Sequence, residues 1–172
     1  GLSIGKVRLE DGAEVLGVGI GSPGPLDRKR GLVIFTPNLR WTNMPILDRI
    51  GESLALPAAL DNDANCAMLG EHWVGAAKGA RDAVCFTLGT GIGGGIVVDG
   101  QLVHGASDAA GEIGHITIEM NGRRCGCGND GCLEAYASGP AIARRALEAI
   151  EAGATTSLLG RSGSITAQTV FE

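Results

Sequence analysis

Leu88-Gly89-Thr90-Gly91-Ile92-Gly93-Gly94-Gly95, followed at once by Ile96-Val97-Val98-Asp99-Gly100, is the stretch that decides the fold. Its glycines meet the G-x-G-x-x-G spacing of a dinucleotide fingerprint, which requires a helix directly after it. An apolar, β-branched run follows instead. The string therefore reads as a glycine-rich hairpin whose backbone N–H groups and Thr90 hydroxyl can cradle a phosphate. Gly89, Thr90, Gly91 and Gly93 are the candidate contacts, and a plain tight hairpin is the alternative. The segment from Gly19 to Gly24 meets the same spacing, but Pro25 succeeds it, and a Rossmann reading fails there too.

Working outward, Ala83 to Leu88 and Gly95 to Val98 are the strands around this glycine run. Upstream, Val15 to Ile20 is an apolar strand ending in the Gly21-Ser22-Pro23-Gly24-Pro25 loop, and Leu32 to Phe35 is a second. Asn43 and Pro45 read as helix start signals, with Ile46, Leu47, Ile50 and Leu54 on one face until Pro57. Pro57 to Leu60 re-enters the sheet. Asp61-Asn62-Asp63 then turns into a helix with Cys66, Leu69, Trp73 and Ala76 as its apolar stripe. Ile116 to Ile118 is a further strand. Ser138 and Pro140 open an amphipathic helix through Ile142, Ala146, Leu147 and Ile150, closed by Gly153. Strands and helices alternate, which defines an α/β protein.

Composition excludes several classes. Of 172 residues 29 are glycine, yet there is no Gly-X-Y period and 44 % of the chain is apolar, so collagen-like and low-complexity readings fail. The uncharged run from Ala83 to Val98 is 16 residues with five glycines, too short for a membrane span. The expectation is no membrane segment and no signal peptide. A formal charge of −5 without a basic stripe argues against a nucleic-acid partner, since Lys and Arg supply most of that affinity. Five cysteines, three of them clustered, point to thiols in a reducing compartment, hence the cytoplasm.

His115 is followed at +10, +12 and +17 by Cys125, Cys127 and Cys132. Three thiolates and one imidazole make a closed tetrahedral zinc set, and the interleaved glycines let a short loop turn its sulfurs inward. Thiols merely packed in a loop, or a disulfide with a spare thiol, fit less well, because cysteines spaced by one residue are poor disulfide partners. Asp61 and Asp63 flank Asn62 at a helix start. An N-cap aspartate is the structural reading. The functional one is a carboxylate beside a phosphate cradle, placed to accept a hydroxyl proton as that oxygen attacks a γ-phosphate. Glu112, His115 and Glu134 lie on or beside the cysteine loop, where carboxylates can chelate sugar hydroxyls; solvated surface glutamates are the alternative.

Five strings occur together and in order: Gly-Ile-Gly-Ser-Pro-Gly-Pro-Leu-Asp (19 to 27), Asp-Asn-Asp-Ala-Asn (61 to 65), Leu-Gly-Thr-Gly-Ile-Gly-Gly-Gly (88 to 95), Gly-Glu-Ile-Gly-His (111 to 115) and Cys-x-Cys-Gly-x-x-Gly-Cys-x-Glu (125 to 134). Over about residues 15 to 150 the chain resembles the ROK family of repressors and sugar kinases, and its bacterial glucokinases in particular. The resemblance implies an actin-like ATPase, ribonuclease H-like sugar-kinase fold of two lobes, here partial. Residues 1–63 would be the end of the small lobe. Residues 64–172 would be the first half of the large one, with the zinc loop at 115–132.

The same resemblance implies ATP-dependent phosphorylation of a hexose 6-hydroxyl, glucose first, with Mg²⁺ on the phosphates and a structural Zn²⁺. Asp63 would be the general base. Asn38, Asn62, Glu112, His115 and Glu134 would hold the sugar, His115 also ligating the metal. N-acetylmannosamine, N-acetylglucosamine or allose are alternative substrates, and a sugar-responsive repressor is the alternative function. Homodimers or homotetramers are usual in the family. Family kinases also carry an Asp-x-Gly-Gly-Thr phosphate loop, which is absent from these residues, so the chain reads as an internal piece of a longer enzyme, unable to turn over ATP alone.

Overall fold

A computed structural model describes residues 14–36, 39–160 and 164–172. The chain divides into two compact units, Gly1–Asp61 and Asn62–Glu172.

In the first unit, β1 (Val18–Ser22) pairs with β5 (Ala58–Asn62), and β2 (Leu26–Asp27), β3 (Leu32–Thr36) and β4 (Trp41–Pro45) form a meander. The β3–β4 register sets Val33 opposite Met44 and Phe35 opposite Thr42. Helix α1 (Ile46–Leu54) follows β4 without a break. Leu26, Val33, Ile46 and Leu60 form the buried core, flanked by Ile20, Trp41, Met44, Leu47 and Ile50. Fully burying each such aliphatic side chain is worth about 1.5–3 kcal/mol. Asn43 does not cap α1 as expected. It lies inside β4 with a left-handed φ of 47°, and Pro45 occupies the N-cap without a side-chain hydrogen bond.

The second unit opens with α2 (Asp63–Trp73) and a sheet of β6 (Ala83–Leu88), β7 (Ile92–Val98) and β8 (Gln101–Leu102), with β7 in the middle. A single 3₁₀ turn, Ile113–His115, precedes the cysteine loop; α3 (Glu134–Ala137), α4 (Gly139–Glu151) and α5 (Ala167–Phe171) complete it. The Ser138 hydroxyl caps α4 by accepting the Ala141 N–H, and Pro140 sits in the first turn, as the sequence indicates.

Three expectations for this unit are corrected. The glycine run is not a loop between strands: Gly93, Gly94 and Gly95 belong to β7, and the turn is confined to residues 89–91. The buried face of α2 is Ala64, Asn65 and Met68, whereas Trp73 is 79 % exposed and Ala76 lies beyond the helix end. The glycines explain this choice of face, because a Cβ on Gly95 would collide with Met68 and one on Gly93 with Ala64. Only a bare strand lets the helix approach so closely. Finally, Ile116–Ile118 is not a strand; Thr117 makes one isolated bridge to Cys132. Among the described residues no helix is long and apolar enough to cross a membrane.

Candidate functional site

The Nδ1 of His115 and the sulfurs of Cys125, Cys127 and Cys132 lie within 4.8 Å of one another. Cys127 Sγ is 3.6 Å from Cys132 Sγ, and Cys125 Sγ is 3.7 Å from His115 Nδ1. A tetrahedral site with Zn–S bonds of about 2.3 Å and a Zn–N bond of about 2.0 Å has S–S edges of about 3.8 Å and S–N edges of about 3.5 Å, so both pairs stand within about 0.2 Å of the separation that a bound zinc requires. None of the five cysteines is paired in a disulfide. Burial pushes the Cys132 thiol up to about 12 and raises Cys125, while Cys127 is lowered, first by a backbone hydrogen bond at Asn129. The donor set, its spacing and its closure fit a structural Zn²⁺.

Backbone hydrogen bonds shape this loop. The N–H groups of Ile118 and Glu119 donate to the Gly131 carbonyl, and Cys125 N–H to that of Asn129. Gly131 has φ +75°, and a Cβ there would strike the Glu119 carbonyl, so no other residue fits. A polar clamp ties the loop to α4: both Arg123 guanidinium nitrogens donate to the Glu148 carboxylate, at 2.8 and 2.5 Å, and the guanidinium lies 5.8 Å from the Tyr136 ring centroid. The Tyr136 hydroxyl accepts the Arg123 N–H at 2.6 Å and bonds Glu119. No sequence motif marks Arg123, Tyr136 or Glu148. Their pairing joins residues 25 apart and is visible only in the fold.

The other sequence-predicted residues gather around β7. Asn62, not an aspartate, caps α2: its side-chain oxygen accepts the N–H groups of Ala64, at 2.9 Å, and Asn65, at 3.3 Å. Asp63 is therefore the first helical residue, exposed, its Oδ1 3.0 Å from the Ala64 nitrogen. Ala64 lies against Gly93, and Asn65 beside Gly111. Glu112 stands at the head of the 3₁₀ turn with its Oε2 3.8 Å from His115 Nε2, so one ring nitrogen of His115 faces the sulfurs and the other a carboxylate. Glu134 Oε2 accepts the Ile92 N–H at 2.8 Å. Gly89 and Thr90 are exposed at the hairpin tip, with open space where a Gly89 side chain would stand. Gly93 lies deeper, where a Cβ would meet Thr87 and Ala64. Asn38 lies outside the described residues.

A glycine hairpin, an Asn-Asp helix start and a Cys₃His loop thus stand together on one α/β unit. Residues 6–172 match the ROK family, and the chain belongs to it. It is 43 % identical over 163 residues to a glucokinase of Halalkalibacterium halodurans, covering 92 % of this chain and 49 % of that protein. Over 128 residues it is 42 % identical to a xylose repressor of Caldicellulosiruptor bescii, covering 74 % of this chain and 32 % of the repressor. The crystal structure of a ROK glucokinase from Streptomyces griseus, in complex with glucose and AMPPNP, superposes with a TM-score of 0.71 at 44 % identity, over 83 % of this chain and 46 % of that one. The chain thus spans about half the length of the glucokinases it matches.

Proposed function

We propose that this chain carries the sugar- and metal-binding half of an ATP-dependent hexose kinase, with glucose as the substrate. The observation that supports this reading is that the exposed Asp63 opens the helix whose next residue, Ala64, lies against β7, the strand that also carries the glycine turn at 89–91 and the Glu134 bond to Ile92. In this reading Asp63 accepts the proton of the sugar 6-hydroxyl as that oxygen bonds the γ-phosphorus, the β–γ bridging bond breaks and ADP leaves. Helical placement fixes the carboxylate close to the attacking oxygen, which lowers the entropic part of the barrier. Asn62 presents its amide nitrogen to the sugar, because its oxygen is committed to the helix cap. Glu112, His115, Glu134 and Asn38 hold the remaining hydroxyls.

Gly89, Thr90 and Gly91 contact the phosphates through backbone N–H groups and the Thr90 hydroxyl, and Mg²⁺ neutralises the phosphate charge. His115, Cys125, Cys127 and Cys132 would hold a structural Zn²⁺, which would cross-link the loop and orient the imidazole whose other nitrogen meets the sugar. Residues 1–63 and 64–172 are assigned to the two lobes. In this reading the enzyme works in the cytoplasm, the compartment that supplies ATP and keeps thiols reduced.

A second reading, a sugar-responsive transcriptional regulator, draws on the likeness to the xylose repressor. A phosphorylation assay of the full-length protein with glucose, N-acetylmannosamine, N-acetylglucosamine and allose separates the two. Glucose 6-phosphate as the main product supports the kinase; sugar binding without turnover on any of the four supports the regulator.

A further inference from the structure

Glu134 begins α3 two positions after the metal-ligand candidate Cys132, and its carboxylate looks both ways. Oε1 lies 3.9 Å from Cys125 Sγ, while Oε2 accepts the Ile92 N–H at 2.8 Å. Gly91 leaves the space this needs, since a Cβ there would meet Oε2. A second strut comes from the same segment, where the Gly139 N–H donates to the Gly89 carbonyl at 2.9 Å. Within the turn, Gly89 N–H closes on the Gly91 carbonyl at 3.0 Å. A turn with two glycines in three residues has much conformational freedom to lose. The segment that follows the cysteine loop therefore holds both ends of the turn.

We propose that Glu134, besides meeting the sugar, is a positioning residue for the nucleotide turn. By accepting the Ile92 N–H it holds residues 89–91 ready for phosphate, so nucleotide affinity depends on the reach of this side chain even when no sugar is bound. The inference rests on the kinase reading of the turn. A sugar ligand alone would leave nucleotide affinity untouched. Glu134→Asp keeps the charge but falls one methylene short of Ile92; Glu134→Gln keeps the length and an acceptor oxygen and loses the charge.

The test is calorimetric titration of the full-length protein with Mg²⁺–AMPPNP in the absence of sugar, with zinc content measured for each variant. Glu134→Asp is expected to bind about tenfold more weakly and Glu134→Gln within about twofold of wild type, both retaining zinc. Wild-type affinity in Glu134→Asp, or equal losses in both variants, overturns the proposal. Amide hydrogen exchange provides a readout independent of nucleotide: Ile92 should exchange faster in Glu134→Asp but not in Glu134→Gln, and unchanged exchange in both overturns the tether. Absence of nucleotide binding by wild type, with Ile92 exchange still dependent on Glu134, overturns the kinase reading and leaves the tether standing.

Discussion

His115 Nδ1 stands 3.7 Å from Cys125 Sγ, within about 0.2 Å of the N–S edge of a zinc tetrahedron, although the two residues are ten apart in sequence. One ring nitrogen thereby faces the cysteine sulfurs and the other Glu112. A metal held at Nδ1 would leave Nε2 as the ring donor on the Glu112 side.

The full-length protein should accordingly carry one zinc per chain. Cys132→Ser, at a fully buried ligand position, should lose the metal and lower the melting temperature. Elemental analysis of purified wild type and variant reads both stoichiometries, and a folded wild type without zinc would refute the assignment. Because burial holds the Cys132 thiol near 12 and raises Cys125, zinc uptake at neutral pH should release protons, measurable as buffer-dependent heats.

The clamp on the cysteine loop should titrate. The Arg123 guanidinium draws the Glu148 carboxyl below its ordinary value of 4.5. A depressed folded-state pKa means that the stabilisation is complete above the unfolded value and is lost as pH falls through the folded one. The melting temperature of wild type should exceed that of Glu148→Gln at pH 6 and converge on it in strong acid. Both partners are at least partly exposed to solvent, so the difference is small and shrinks with salt. A gap that widens on acidification would contradict the assignment.

The glycines divide by what they touch. Gly95→Ala would push a methyl into Met68 and the Ala64 carbonyl, and overpacking of this kind costs about 1–3 kcal/mol. Gly89→Ala meets nothing within 4 Å. It should leave the melting temperature within a degree or two while raising the KM for ATP. Thermal denaturation of the two variants, beside ATP titration of Gly89→Ala, checks this division.

That division also marks what the sequence made legible. The Cys₃His set could be read directly because its chemistry depends on residue type and short spacing, and the hairpin because Val97 and Val98 exclude a helix. The α4 start was equally clear from Ser138 and Pro140. Long-range packing decided the rest. Trp73 and Leu69 look like a core stripe, yet Ala64 and Met68 face β7 because its glycines admit them. Asn62 takes the cap from the neighbouring aspartates through its own hydrogen bonds. The Glu134–Ile92 bond spans 42 residues, and nothing local announces it.

Asn62 therefore has a structural part as well as a proposed sugar contact. Asn62→Ala should destabilise the fold by about 1 kcal/mol through loss of the cap, and Asn62→Asp should restore that stability while leaving sugar affinity reduced. Chemical denaturation with glucose titration separates the two effects.

The central claim is that Asp63 is the base in phosphoryl transfer to a sugar hydroxyl. The measurement that tests it most directly is kcat for glucose phosphorylation by full-length Asp63→Asn against wild type, with folding and glucose binding verified in both. A fall of at least ~100-fold with glucose affinity retained is the predicted result. Wild-type turnover in the variant would contradict it.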